Sequence, residues 1–145
     1  MAETLQLTGF KELAAALREL PDRVAKNALR TAVSAGASVI RKEVRSRSPV
    51  DTGLLKKHMY QKQIRELSSA ESQTFFVGVR KVKSKDGVKQ PSPFYWRFLE
   101  FGTSKLPAKP FLRPAFEMQK DNAIKAIGKK LDERIQKYAR ELNKI

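Results

Sequence analysis

The sequence predicts an α+β fold with two N-terminal helices, a small antiparallel sheet, a short aromatic helix and a long C-terminal helix. Three observations lead to this. Apolar residues recur at steps of three and four over residues 10–20, 24–44 and 124–145. Between the second and third runs lies Phe75-Phe76-Val77-Gly78-Val79, aromatic and β-branched as strands are. Breakers punctuate the runs at Pro21, Pro49, Gln90-Pro91-Ser92-Pro93, Gly102 and Pro114. The 145 residues suit one domain spanning 1–145, because no stretch reads as a separating linker.

The first helix is expected over Lys11–Leu20, with Thr8 as its N-cap and Phe10, Leu13, Ala14, Leu17 and Leu20 on one face. Pro21 interrupts it and suits the first turn of a second helix, about Asp22 to Ser46. The apolar side of that helix carries Val24, Ala28, Leu29, Ala32, Val33, Gly36, Val39, Ile40 and Val44. Its many small residues predict close approach of another element. Pro49 ends it, and Val50-Asp51-Thr52-Gly53 makes a turn. Two strands follow, Leu54–Arg65 and Thr74–Lys83. Asp86-Gly87 predicts a turn within the basic tract that runs from Arg80 to Lys89, and residues 81–93 read as a loop. Phe94–Phe101 is a short aromatic helix with Gly102 past its end. Pro114 opens the last helix, whose apolar face runs through Ile124, Ile127, Leu131, Ile135, Tyr138, Leu142 and Ile145.

Composition narrows the function. The chain carries 30 Lys and Arg against 15 Asp and Glu, a net charge of +15, with one His and no Cys. Disulfides, thiolate zinc sites and cysteine nucleophiles are excluded, and His58 alone cannot build a multi-histidine metal site. No apolar run approaches the roughly 18 residues that span a bilayer. Met1-Ala2-Glu3-Thr4 lacks the features of a signal peptide, so the expectation is an intracellular product that is not an enzyme and has no cofactor. The basic residues are spread along the body of the chain, which suits a solvated surface or several acidic contacts better than one compact patch.

Asp51-Thr52-Gly53 is also the catalytic triplet of aspartic proteases, where two carboxylates share a proton. Those enzymes are almost all β, and Leu54 replaces the usual small residue, so the turn reading is preferred. His58 falls on the first predicted strand between Lys57 and Met59, with no nucleophile or metal partner identifiable. Glu100, set among aromatics, either pairs with a base such as Arg97 or Arg113 or caps a loop. The cluster Phe94, Tyr95, Trp96, Phe98 and Phe101 suits a core or subunit interface, with stacking on single-stranded bases as the alternative.

Three motifs occur in order along the chain: Pro49-Val50-Asp51-Thr52-Gly53-Leu54-Leu55, Glu100-Phe101-Gly102-Thr103, and Pro110-Phe111-Leu112-Arg113-Pro114-Ala115. With the Leu7-Thr8-Gly9-Phe10 opening, the sequence resembles the tail-completion or neck proteins of long-tailed bacteriophages, also known as minor tail or head–tail joining proteins. The resemblance implies a structural virion protein, assembled in the host cytoplasm into a homo-oligomeric ring, commonly a hexamer, between tail tube and head connector. Its partners would be other neck, connector and tail-tube proteins. DNA would pass through the ring without specific binding, and no membrane is involved.

On this resemblance Pro49, Asp51, Thr52 and Gly53 form a structural turn. Trp96, Glu100, Phe101, Gly102, Thr103, Pro110, Phe111, Arg113 and Pro114 brace the loop before the last helix and contact a subunit or partner. Arg80, Lys81, Lys83, Lys85 and Lys89 form a basic partner-facing loop. The rival from another class is a basic nucleic-acid-binding module, motivated by the charge and the aromatic cluster.

Overall fold

The computed structural model describes residues 2–49, 53–82, 84–88 and 93–143, with side chains from residue 11 to residue 142 of these. The elements run α1 (Ala2–Glu19), α2 (Asp22–Arg47), α3 (Leu54–Lys57), β1 (Met59–Gln63), β2 (Phe75–Val79), α4 (Trp96–Phe101) and α5 (Leu112–Asn143). A 3-10 turn at Arg65–Leu67 follows β1. The α+β class and the order of its main parts match the expectation. Val50, Asp51, Thr52, Lys83, Lys89, Gln90, Pro91, Ser92 and Ile145 lie outside the described residues.

Several boundaries differ from those the sequence suggests. The first helix starts at Ala2, so Thr8 lies inside it rather than capping it. Leu5, Gln6 and Leu7 favour helix, and the cost of a single Gly9, about 1 kcal/mol, does not stop propagation. The first strand is shorter at its start, because Leu54–Lys57 forms a single helical turn, α3. Unbranched Leu and Lys favour that turn, which drops Leu55 into the core. His58 closes the turn, its N–H facing the carbonyls of Leu54 and Leu55 (both 3.3 Å), and is not a strand residue. β2 ends at Val79, short of the predicted Lys83. The last helix opens at Leu112, so Pro114 sits within its first turn.

Prolines and glycines shape the connections as the sequence suggests. Ser48 after α2 is extended (φ −65°, ψ 139°), the conformation imposed on a residue before proline, here Pro49. Gly53 has φ +74° ahead of α3. Asp86 (φ 54°) and Gly87 (φ 76°) form a two-residue turn, closed by the Lys85–Val88 bridge.

β1 and β2 pair antiparallel with Met59 opposite Val79 and Gln63 opposite Phe75. Alternation turns Met59, Gln61 and Val79 toward α2. There Gln61 Nε2 donates to Ser34 Oγ (3.0 Å), and Ser38 Oγ donates to Gln61 Oε1 (3.1 Å).

The most extensive contact joins α2 to α5. Val44 meets Phe111 and Ala115 at one end, while Ala25, Ala28 and Ala32 meet Leu131 at the other, so the helices run antiparallel. Two core clusters result. One gathers Val44, Leu55, Met59, Val79, Phe111 and Ala115 between the sheet, α4 and the start of α5. The other gathers Leu17 of α1 with Ala25, Ala28, Ala32 and Leu131. The buried stripe of α2 is thus made of its small residues, and the flanking Val24, Leu29, Val33 and Val39 are only half-buried. Gly36 sits between the clusters, where an added Cβ would lie 2.6 Å from Ile127 Cγ1 and 3.1 Å from the Ala123 carbonyl oxygen. Gly36→Val should therefore overpack the helix pair and lower stability by about 1–3 kcal/mol, read from the urea midpoint at unchanged m-value.

Candidate assembly surface

α4 is amphipathic over little more than one turn. Tyr95, Trp96 and Leu99 pack on the first core cluster, and Glu100 lies on the same side, only 5% exposed. Phe94, Phe98 and Phe101, spaced by four and three, lie on the other side at 70, 52 and 65% exposure. Burying one side of the segment leaves three phenyl rings in water, and Leu106 in the next loop is exposed as well.

Glu100 fixes this orientation. Its Oε2 accepts hydrogen bonds from the Phe111 (2.8 Å) and Leu112 (2.9 Å) N–H groups, and its Oε1 accepts one from Arg113 N–H (3.0 Å). These belong to the first positions of α5, where N–H groups have no acceptor within the helix. The next position is Pro114, which has no N–H. One side chain therefore satisfies every orphan donor at this helix end and places a carboxylate at its positive pole. Of the alternatives for Glu100, capping is the one adopted, and the partners are backbone groups rather than the Arg97 or Arg113 side chain.

The loop between the helices folds back on α4. Gly102 has φ +74°, and a Cβ there would lie 2.8 Å from Ala108 N, so both conformation and space require glycine. Thr103 N–H donates to the Leu106 carbonyl (2.9 Å), and Thr103 Oγ1 accepts from Leu106 N–H (3.0 Å). Lys109 N–H donates to the Leu99 carbonyl (2.7 Å), and Phe111, 1% exposed, plugs the core beyond it.

The expected interface residues thus divide. Phe101, Thr103, Pro110 and Arg113 are exposed, and Trp96, Gly102 and Pro114 are half-buried. Glu100 and Phe111 are buried in their own chain and act on the surface only through the loop they hold. Of the turn residues, Pro49 is exposed and Gly53 half-buried; Arg80, Lys81 and Lys85 of the basic tract are exposed.

The outer side of the sheet joins Arg80 of the basic tract to Tyr60 and Phe76, which sequence reasoning did not single out as site residues. Opposite the α2-facing side, the Arg80 guanidinium lies 5.0 Å from the Tyr60 ring centroid, and Tyr60 meets Phe76 edge-on at 5.9 Å. Phe76 covers Gly78, where a Cβ would lie 2.6 Å from its ring. Arg97 of α4 stacks similarly on Trp96, 5.5 Å from its centroid. The signal was the two-residue period through Tyr60-Lys62 and Phe76-Gly78-Arg80, legible only once the strand register is fixed.

Among the described residues there is no group of three or more His, Cys, Asp or Glu that could hold a metal ion. Among these residues, too, no helix is long and apolar enough to cross a membrane.

Glu100→Ala would leave the Phe111, Leu112 and Arg113 N–H groups without acceptors. It should lower stability by about 2–3 kcal/mol in urea unfolding followed by Trp96 fluorescence, with a smaller loss for Glu100→Gln.

A family model described as "Bacteriophage HK97-gp10, putative tail-component" matches residues 11–102, more than half of the chain, including α2, both strands and α4. No curated protein and no solved structure matches.

Proposed function

Because the chain belongs to this HK97 gp10-like family of bacteriophage tail components, we propose that it forms a ring in the neck that completes the tail and helps join it to the head. The coarser part is given by the family: this is a structural protein of a tailed phage, found in the virion and working among other tail proteins. Ring formation, the neck position and assembly in the host cytoplasm are our reading. So are the absence of catalysis and the single-domain organisation over residues 1–145.

The observation that carries the reading is the exposed stripe Phe94, Phe98 and Phe101. A short helix anchored by a buried carboxylate holds these rings outward on a rigid base, at a standing cost in water. Cyclic self-association would bury them, and a sixfold ring is the form we favour. Trp96, Phe101, Gly102, Thr103, Pro110 and Arg113 would line the subunit contact, with Glu100, Phe111 and Pro114 holding it from within. The tract Arg80, Lys81, Lys83, Lys85 and Lys89 would face acidic neighbours in the connector or tail tube. DNA would pass through without specific contacts.

Mass measurement and negative-stain images should reveal rings built of 16.5 kDa subunits, alone or once tail-tube protein is added. Phe98→Asp with Phe101→Asp should give monomers with an unchanged circular-dichroism spectrum, since both rings are exposed. A parent protein that stays monomeric with tail-tube and connector proteins present would overturn the ring reading.

A further inference from the structure

The outer side of the two-stranded sheet and α4 border an open groove of about 570 Å³, whose residues the tail-ring reading uses only in part, at Arg80, Lys81 and Trp96. Its walls carry Tyr60, Lys62 and Phe76 from one direction, and Arg80, Trp96 and Arg97 from the other. It continues past Pro93 and Phe94 to Phe98, so it opens beside the exposed aromatic stripe. Toward its other end lie Arg30 and Arg65, with Glu66 as the one acid.

Charge identifies the occupant. The described ion pairs are Arg47–Glu43, Lys120–Glu117 and Lys130–Glu133, each within a single helix, and none uses a cation of this groove. Arg80 and Arg97 instead lie against the Tyr60 and Trp96 rings. Stacking holds a guanidinium by its face and leaves its N–H edge available, the arrangement that receives a carboxylate through two parallel hydrogen bonds. Phe76 and Trp96 supply apolar walls between the cations. The volume suits a few side chains, in the range of ordinary ligand clefts.

We infer that this groove is the docking site for an extended acidic segment of a partner tail protein, with carboxylates on Arg80, Arg97 and Lys62 and an apolar side chain against Phe76 and Trp96. The inference rests on the tail-component reading, from which the protein nature of the partner follows. It names a surface that adjoins the Phe94–Phe98–Phe101 stripe proposed for the ring, shares Trp96 with that contact, and is centred on the sheet.

The test uses the full chain, a fluorescent peptide alternating Glu and Phe, the same peptide with Gln for Glu, and a single-stranded oligothymidine. Anisotropy should report binding of the Glu peptide at about 50 mM salt, weakened at about 200 mM, and little binding of the Gln peptide. Arg80→Ala with Arg97→Ala should weaken the Glu peptide roughly tenfold, whereas Lys129→Ala with Lys137→Ala, exposed on α5, should change it less than about twofold. Equal losses in the two double variants would overturn the proposal. So would no binding of the Glu peptide, or tighter binding of the oligothymidine lost with Arg80 and Arg97. Subunit mass measured on the same samples separates the two readings. A groove that binds in a protein that never forms rings sinks only the ring, and rings without binding sink only the groove.

Discussion

The carboxylate of Glu100 and the first turn of α5 form the contact on which the outer surface depends. Three backbone N–H groups converge on one side chain, and the fourth position is a proline with nothing to donate. A long helix can then begin in the protein interior without stranding polar groups, which is where Phe111 must sit to fill the core. The same bonds tie α4 to α5 across a loop that has no regular structure of its own. Because Glu100 must point inward, α4 cannot roll, and Phe98 and Phe101 must point outward. The exposed stripe is thus set by a polar requirement on the far side of the helix.

A second constraint governs the body of the molecule. α2 and α5 approach closely because α2 offers alanines and Gly36 along the contact. The small side chains of α2 make room for larger ones from α5, Ile127 against Gly36 and Leu131 against the alanines, and the rest of the core gathers at the two ends. One end becomes the cluster that receives the sheet and α4, and the other receives α1. Specific polar contacts then set the sheet on this scaffold, with Gln61 bridging to Ser34 and Ser38. Neither end depends on ion pairs between elements among the described residues, which leaves the excess of cations available to other molecules.

Much of this was legible in the sequence, for physical reasons that differ by element. The helical period of α2, α4 and α5, and the turn at Asp86-Gly87, followed from spacing and from the conformational limits of proline and glycine. The start of the first strand was misjudged because Leu54–Lys57 lacks alternation and β-branching, and a single helical turn has no period to detect. Thr8 misled because a good capping residue was taken to mark a helix end, while the residues before it already favour helix. For Glu100 the sequence left pairing with a base and capping a loop both open, since the loop between the helices hides which groups come near it in space. The groove beside the sheet was invisible for a related reason. Its aromatic and basic residues come from three segments, and only register and helix orientation bring Tyr60, Arg80 and Arg97 to one side.

The packing of α5 also dictates when the molecule can take shape during synthesis. Each core cluster contains a residue from α5, Ala115 in one and Leu131 in the other, and Phe111 just before α5 joins the first. α1 can meet the alanine stripe of α2 and the sheet can meet α2 beforehand, but both clusters stay incomplete until α5 has left the ribosome. Until then the exposed aromatic side of α4 has no fixed direction, because α4 is oriented only when the backbone at the start of α5 reaches Glu100. The outward side of α4, with Phe98 and Phe101, is thus presented in its final orientation only after synthesis has passed the start of α5, well after α4 itself has been made.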